Sequence, residues 1–138
     1  MEVKNSKKIL VVDDDVDMLL MLTILLRDAG YDVEGTLNGT ETLERTNRFR
    51  PDLIIMDIFL TGINGRDVCK TLKSSDSTKR IPVILISSNP YPEAIGEYGA
   101  EDFIEKPFQI SYMLSRVKQM MSNPVMEFKN EMNKKQNE

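Results

Sequence analysis

The chain has 138 residues, 41% of them hydrophobic, which suits one compact domain; a second would not fit. Its 18 basic and 22 acidic residues give a net charge of -4, so no nucleic-acid binding, which calls for a basic patch or stripe, is expected. One cysteine, Cys69, excludes an internal disulfide and reads as a packed thiol, and the absence of histidine excludes His-ligated zinc and Ser-His or Cys-His catalysis.

The N-terminal MEVKNSKK lacks a signal-peptide core and no run approaches bilayer length, which predicts a soluble, cytoplasmic protein. Ile9 to Val12 is β-branched-rich without alternation, as in a strand covered on both faces, and it ends in the acids of KILVVDDDVD. From Val16 to Ala29, the apolar positions Val16, Leu19, Leu20, Thr23, Ile24 and Leu26 predict a helix, with Gly30 at its C-terminal cap. Tyr31 to Thr36 reads as a second strand, and Thr40 to Arg48 as a helix between Asn38-Gly39 and Pro51.

Leu53 to Met56 is a third apolar run, ending on Asp57. A loop with Gly62 and Asn64-Gly65 leads to a helix from about Arg66 to Lys73, with Val68, Cys69 and Leu72 inward. Val83 to Ile86 ends on Ser87-Ser88, Asp102 to Glu105 forms a short fifth strand, and Ile110 to Met121 a helix carrying Met113, Leu114, Val117 and Met121 on one side. Alternating strands and helices predict an α/β fold: about five parallel strands, with about five helices on both faces of the sheet. Residues 1–122 read as the domain and residues 123–138 as a polar, flexible tail.

Ligands of an open parallel sheet bind beyond the carboxyl ends of its strands. Four such ends carry Asp13-Asp14, Asp57, Ser87 and Lys106-Pro107. Each residue also has a plain structural role open to it: Asp15 or Asp17 as a helix cap, Asp57 as a turn former, Ser87 as a cap, Lys106 as a solvated charge. Together they ask for compensation, because two carboxylates a few ångströms apart repel by roughly 4 kcal/mol at an effective dielectric near 20. A hard divalent cation such as Mg²⁺ supplies it, and with a hydroxyl and an ammonium the set suits phosphoryl transfer. Asp15 and Asp17 fall at the start of the first helix, where negative charge favours its dipole.

The ordered motifs VVDDD, LIIMDIFLTGING, PVILISS and GAEDFIEKPF, over about Lys8 to Ser122, resemble the receiver domain of two-component response regulators. The resemblance implies a flavodoxin-like, doubly wound sheet in 2-1-3-4-5 order. It implies Mg²⁺-dependent phosphorylation of Asp57 by a histidine kinase or phosphotransfer protein. Asp13 and Asp14 match the acidic pair, and Asp14, Asp57 and the Phe59 main-chain carbonyl would hold the metal. Ser87 and Phe103 match the switch pair and Lys106 the phosphate-binding lysine, followed by Pro107 in a bond that is usually cis. Phe59 and Asn89 stand where dephosphorylation is modulated, and the bulk of Phe59 predicts shielding of the phosphoryl group from water.

Two departures stand out. Thr61 replaces a common proline four residues after the acceptor, which predicts a less rigid loop. The stretch Ser87 to Ala100 is shorter than usual and carries Pro90 and Pro92, so the fourth helix should be truncated or begin after Pro92. The expected function is a stand-alone phosphorylation-controlled module with an unnamed downstream partner, as a monomer or a phosphorylation-dependent dimer. Two alternatives are a pseudo-receiver that works without phosphorylation and a haloacid-dehalogenase-type phosphatase using Asp13-x-Asp15. Covalent phosphate on Asp57, on no residue, or on Asp13 separates the three.

Overall fold

The apolar runs of the sequence become the strands of one sheet. The computed structural model describes residues 6–88 and 98–122. Strands β1 (Lys8–Val12), β2 (Asp32–Thr36) and β3 (Leu53–Asp57) are followed by a two-residue pair, β4 (Phe59–Leu60) and β5 (Ile63–Asn64), and then by β6 (Val83–Ser87) and β7 (Asp102–Glu105). The helices are α1 (Val16–Asp28), α2 (Thr42–Phe49), α3 (Gly65–Ser74) and α4 (Ile110–Ser122). The main sheet runs β2-β1-β3-β6-β7, with every neighbouring pair parallel. With the small β4–β5 hairpin set aside, this is the expected 2-1-3-4-5 order.

Four α-helices lie among the described residues. The shortened helix expected around Pro90 and Pro92, the modulator Asn89, and the tail at residues 123–138 lie outside them. The hairpin is an addition to the expected elements, its strands too short to carry a period-2 signal.

Alternation along the strands divides the core into two layers. Ile9, Val11, Leu53, Ile55, Ile84 and Ile86 face Leu22 and Leu26 of α1 and Met113 and Val117 of α4. Leu10, Val12, Ile54, Met56, Val83 and Leu85 face Val68, Cys69 and Leu72 of α3. Burial stabilises by about 1.5–3 kcal/mol per large apolar side chain, so both helical layers hold the sheet firmly.

The core face of α1 differs from the expected stripe. Leu22 and Leu26 are buried, whereas Val16, Leu20 and Ile24 are 59%, 56% and 57% exposed. The helix is apolar on more than one side, so periodicity leaves its rotation open. Gly35 of β2 bears on the choice: a Cβ there would stand 2.7 Å from Leu19 Cδ1, and the bare backbone lets Leu19 settle against the sheet. Beyond the end of α1, Gly30 has φ of +104°, the left-handed geometry expected of a residue closing a helix.

Candidate functional site at the strand ends

Four strands end at one edge. Asp13, next after β1, is fully buried; its Oδ1 accepts from the Asp15 N–H at 2.9 Å. Asp57 closes β3, and its Oδ1 accepts from the Phe59 N–H at 2.9 Å. Lys106, next after β7, donates from Nζ to Asp57 Oδ2 at 2.7 Å and to Asp13 Oδ2 at 3.2 Å. Ser87 ends β6 fully buried, and its carbonyl accepts from the Lys106 N–H at 2.8 Å, which pins the backbone of the lysine to the crevice. The Lys106-Pro107 bond is cis, as expected.

Carboxylate oxygens of Asp13, Asp14 and Asp57 lie within 4.8 Å of one another. Burial pushes the Asp13 carboxyl above its ordinary range, with the Asp15 N–H and Lys106 opposing it and Asp57 adding to it. Burial also works against the charge of Lys106, but the hydrogen bond to Asp57 and the fields of Asp13 and Asp57 outweigh it and hold its pKa above the ordinary lysine value. Three carboxylates against one ammonium leave excess negative charge in a site whose acidic donors are all oxygen. That donor chemistry fits Mg²⁺, which pairs with a few carboxylates and keeps places for water and phosphate oxygens.

The family model for the response regulator receiver domain matches residues 9–118. The chain belongs to this family. Receiver domains work in two-component systems, are characteristically phosphorylated on an aspartate, and bind Mg²⁺ at an acidic pocket. The DNA-binding response regulator MtrA of Mycobacterium tuberculosis is 40% identical over 113 residues, which cover 81% of this chain and 49% of that protein. The alkaline phosphatase synthesis transcriptional regulatory protein PhoP of Bacillus subtilis is 34% identical, over 84% of this chain and 49% of that one. The chain thus spans about half the length of these curated relatives.

Among solved structures, the receiver domain of a signal transduction histidine kinase from Syntrophus aciditrophicus superposes with a TM-score of 0.78 at 34% identity, covering 85% of this chain and 91% of that one. The chemotaxis response regulator CheY4 of Vibrio cholerae gives 0.78 at 28%, covering 84% and 99%. Among the described residues, no helix of this receiver domain is long and apolar enough to cross a membrane.

Within the receiver frame, the acids of KILVVDDDVD part company. Asp13 and Asp14 stand at the crevice, whereas Asp15 is the N-cap of α1, its Oδ1 accepting from the Asp17 and Met18 N–H groups, and Asp17 lies in the first turn. With its carboxylate occupied in this way, Asp15 is poorly placed for the Asp-x-Asp chemistry of a phosphatase. Phe59 is exposed, with the Arg66 guanidinium 5.9 Å from its ring centroid. Phe103 is half-buried and lines a cavity of about 540 Å³ with Phe108 and Tyr112 of the adjoining β7–α4 region.

Two residues at the site lie outside the expected set. Gly65 opens α3 where a Cβ would stand 2.3 Å from the Asp57 carbonyl oxygen, so only glycine lets the helix start this close to Asp57. Asn64-Gly65 signals a turn, and the close approach behind it involves residues that pattern alone does not bring together. Thr61, expected only to loosen its loop, donates from both its main-chain N–H (2.7 Å) and its hydroxyl (2.5 Å) to Asp14 Oδ2. A hydroxyl in a loop leaving a strand that ends in a carboxylate was the available signal.

Proposed function

We propose that Asp57 accepts a phosphoryl group from a phosphohistidine on a sensor kinase or phosphotransfer protein, and that the aspartyl phosphate switches a partner-binding surface. The observation that carries this reading is Lys106 Nζ lying between the buried carboxylates of Asp57 and Asp13. An ammonium in that place can transfer its hydrogen bonds to a phosphoryl oxygen as the group arrives.

Asp14, Asp57 and the Phe59 carbonyl, with Asp13 beside them, would hold Mg²⁺. When bound, the ion neutralises the carboxylates and the phosphoryl oxygens. An Asp57 carboxylate oxygen attacks phosphorus, the P–N bond to the donor imidazole breaks, and the ring nitrogen keeps the electron pair. Lys106 releases Asp57 Oδ2 and binds a phosphoryl oxygen, while the Ser87 hydroxyl moves to donate to another. Movement of Ser87 makes room for Phe103, so a charge event at the strand ends becomes a change of surface shape. Phe59 and Asn89 set the lifetime of the phosphoryl group.

A protein donor is supported by α1. Val16, Leu20 and Ile24, spaced i, i+4, i+8, make an exposed apolar stripe on the helix that begins three residues after Asp13, the form of surface on which a partner helix packs. The downstream partner is a protein, reached in the cytoplasm. The test is incubation with Mg²⁺ and a small acyl phosphate, followed by mapping of the modified residue. Labelling of Asp57 that is lost in Asp57→Asn and in EDTA is expected. Labelling of Asp57→Asn at the wild-type rate, or of Asp13 instead, overturns the assignment.

A further inference from the structure

Asp13 and Asp57 share Lys106, but Asp14 does not. With two carboxylates nearby, an unrestrained Asp14 would swing towards water. What holds it is the turn of the β4–β5 hairpin. Leu60 pairs with Ile63 and Phe59 with Asn64, so Thr61 and Gly62 form a two-residue connection. Both Thr61 donors fall on Oδ2 of Asp14, and Oδ1 accepts no hydrogen bond from the described residues.

We propose that Thr61 is a positioning residue for the metal: the hairpin presents its N–H and hydroxyl as a clamp on Asp14 Oδ2, keeping the carboxylate at the crevice with Oδ1 left for the ion. The inference rests on the Mg²⁺ reading above and gives the hairpin a purpose, since a strand pair this short adds little to the fold. Groups that orient a metal ligand commonly change metal affinity 10- to 100-fold when removed. The clamp needs a main-chain N–H and a hydroxyl, and a proline at this place has neither donor.

Calorimetric titration of Mg²⁺ into the full chain and three variants tests the proposal. Thr61→Ser keeps both donors and should bind as the wild type does. Thr61→Val loses the hydroxyl and should bind about tenfold more weakly, and Thr61→Pro, which loses both donors, more weakly still. Proline suits the backbone there, since Gly62 at φ +79° has the second-position geometry of a type II turn. With a small acyl phosphate, Thr61→Val should need more Mg²⁺ for half-maximal labelling yet reach the wild-type rate at saturation. Wild-type Mg²⁺ affinity in Thr61→Val and Thr61→Pro, even with a lowered melting temperature in EDTA, would mean that Thr61 only folds the hairpin. That result overturns the clamp and leaves the function standing; a wild-type protein that takes up no Mg²⁺ overturns both.

Discussion

Helices α1 and α3 cover opposite faces of the same sheet and dispose of their apolar residues differently. In α3, Val68, Cys69 and Leu72 are all buried, and the fold uses up what the helix offers. In α1, Leu22 and Leu26 are buried while Val16, Leu20 and Ile24 stay more than half exposed. Both helices begin beside the crevice, so position alone does not account for the difference. The sheet needs one face of α1, and the second apolar face is the one proposed above to meet the phosphoryl donor. Apolar residues on one helix are thus assigned two ends, stability and the proposed contact, which substitution should separate.

The largest effect is expected inside. Leu22→Ala should lower the unfolding free energy by about 2–5 kcal/mol in urea denaturation, and Leu72→Ala on α3 by a similar amount. Equal losses confirm that both inner faces are ordinary core; a near-neutral Leu22→Ala would mean that α1 is rotated from the position described. Next comes the start of α3. Gly65→Ala forces a methyl group onto the Asp57 carbonyl and should destabilise by about 1–3 kcal/mol while slowing acyl-phosphate labelling, two readouts that separate crowding at Asp57 from a loss of packing elsewhere.

At the approach to α1 the sign reverses. Burial raises the Asp13 carboxyl from its ordinary 3.8, so the folded chain binds this proton at higher pH than the unfolded chain does. Stability therefore falls as pH rises through the window above 3.8, and the cost persists at neutral pH. Asp13→Asn should melt a few degrees higher than the wild type in EDTA at neutral pH, with the gap closing as the pH is lowered through that window. A lower melting temperature at neutral pH would show that the Lys106 and Asp15 bonds outweigh burial. The smallest change in stability belongs to the outer face. Leu20→Ser should stay within about 0.5 kcal/mol of wild type and keep acyl-phosphate labelling, yet slow transfer from a phosphohistidine donor. Unchanged transfer would leave the stripe without its proposed partner.

The strands were legible because apolar runs such as Leu53 to Met56 and Val83 to Ile86 have no reading other than burial on both faces once helices alternate with them. Their ends were legible for the same reason, and with them the meeting of Asp13, Asp14, Asp57 and Lys106. The rotation of α1 was not, because it turns on how closely Leu19 approaches a glycine on another element. Gly65 against the Asp57 carbonyl and Thr61 against Asp14 belong to the same class. Each is a distance between segments that pattern analysis treats separately, whereas periodicity reports only how a segment faces its own axis.

The bridge made by Lys106 reaches across 49 residues to Asp57 and 93 to Asp13. Contacts of such range close late in folding, since the entropy of the intervening loops is lost before they form. A chain emerging from synthesis, or one partly unravelled, carries Asp57 without its lysine and the acidic pair without its sheet. The bridge on which the proposed phosphoryl transfer relies is therefore present only in a chain whose first, third and last strands have all come together.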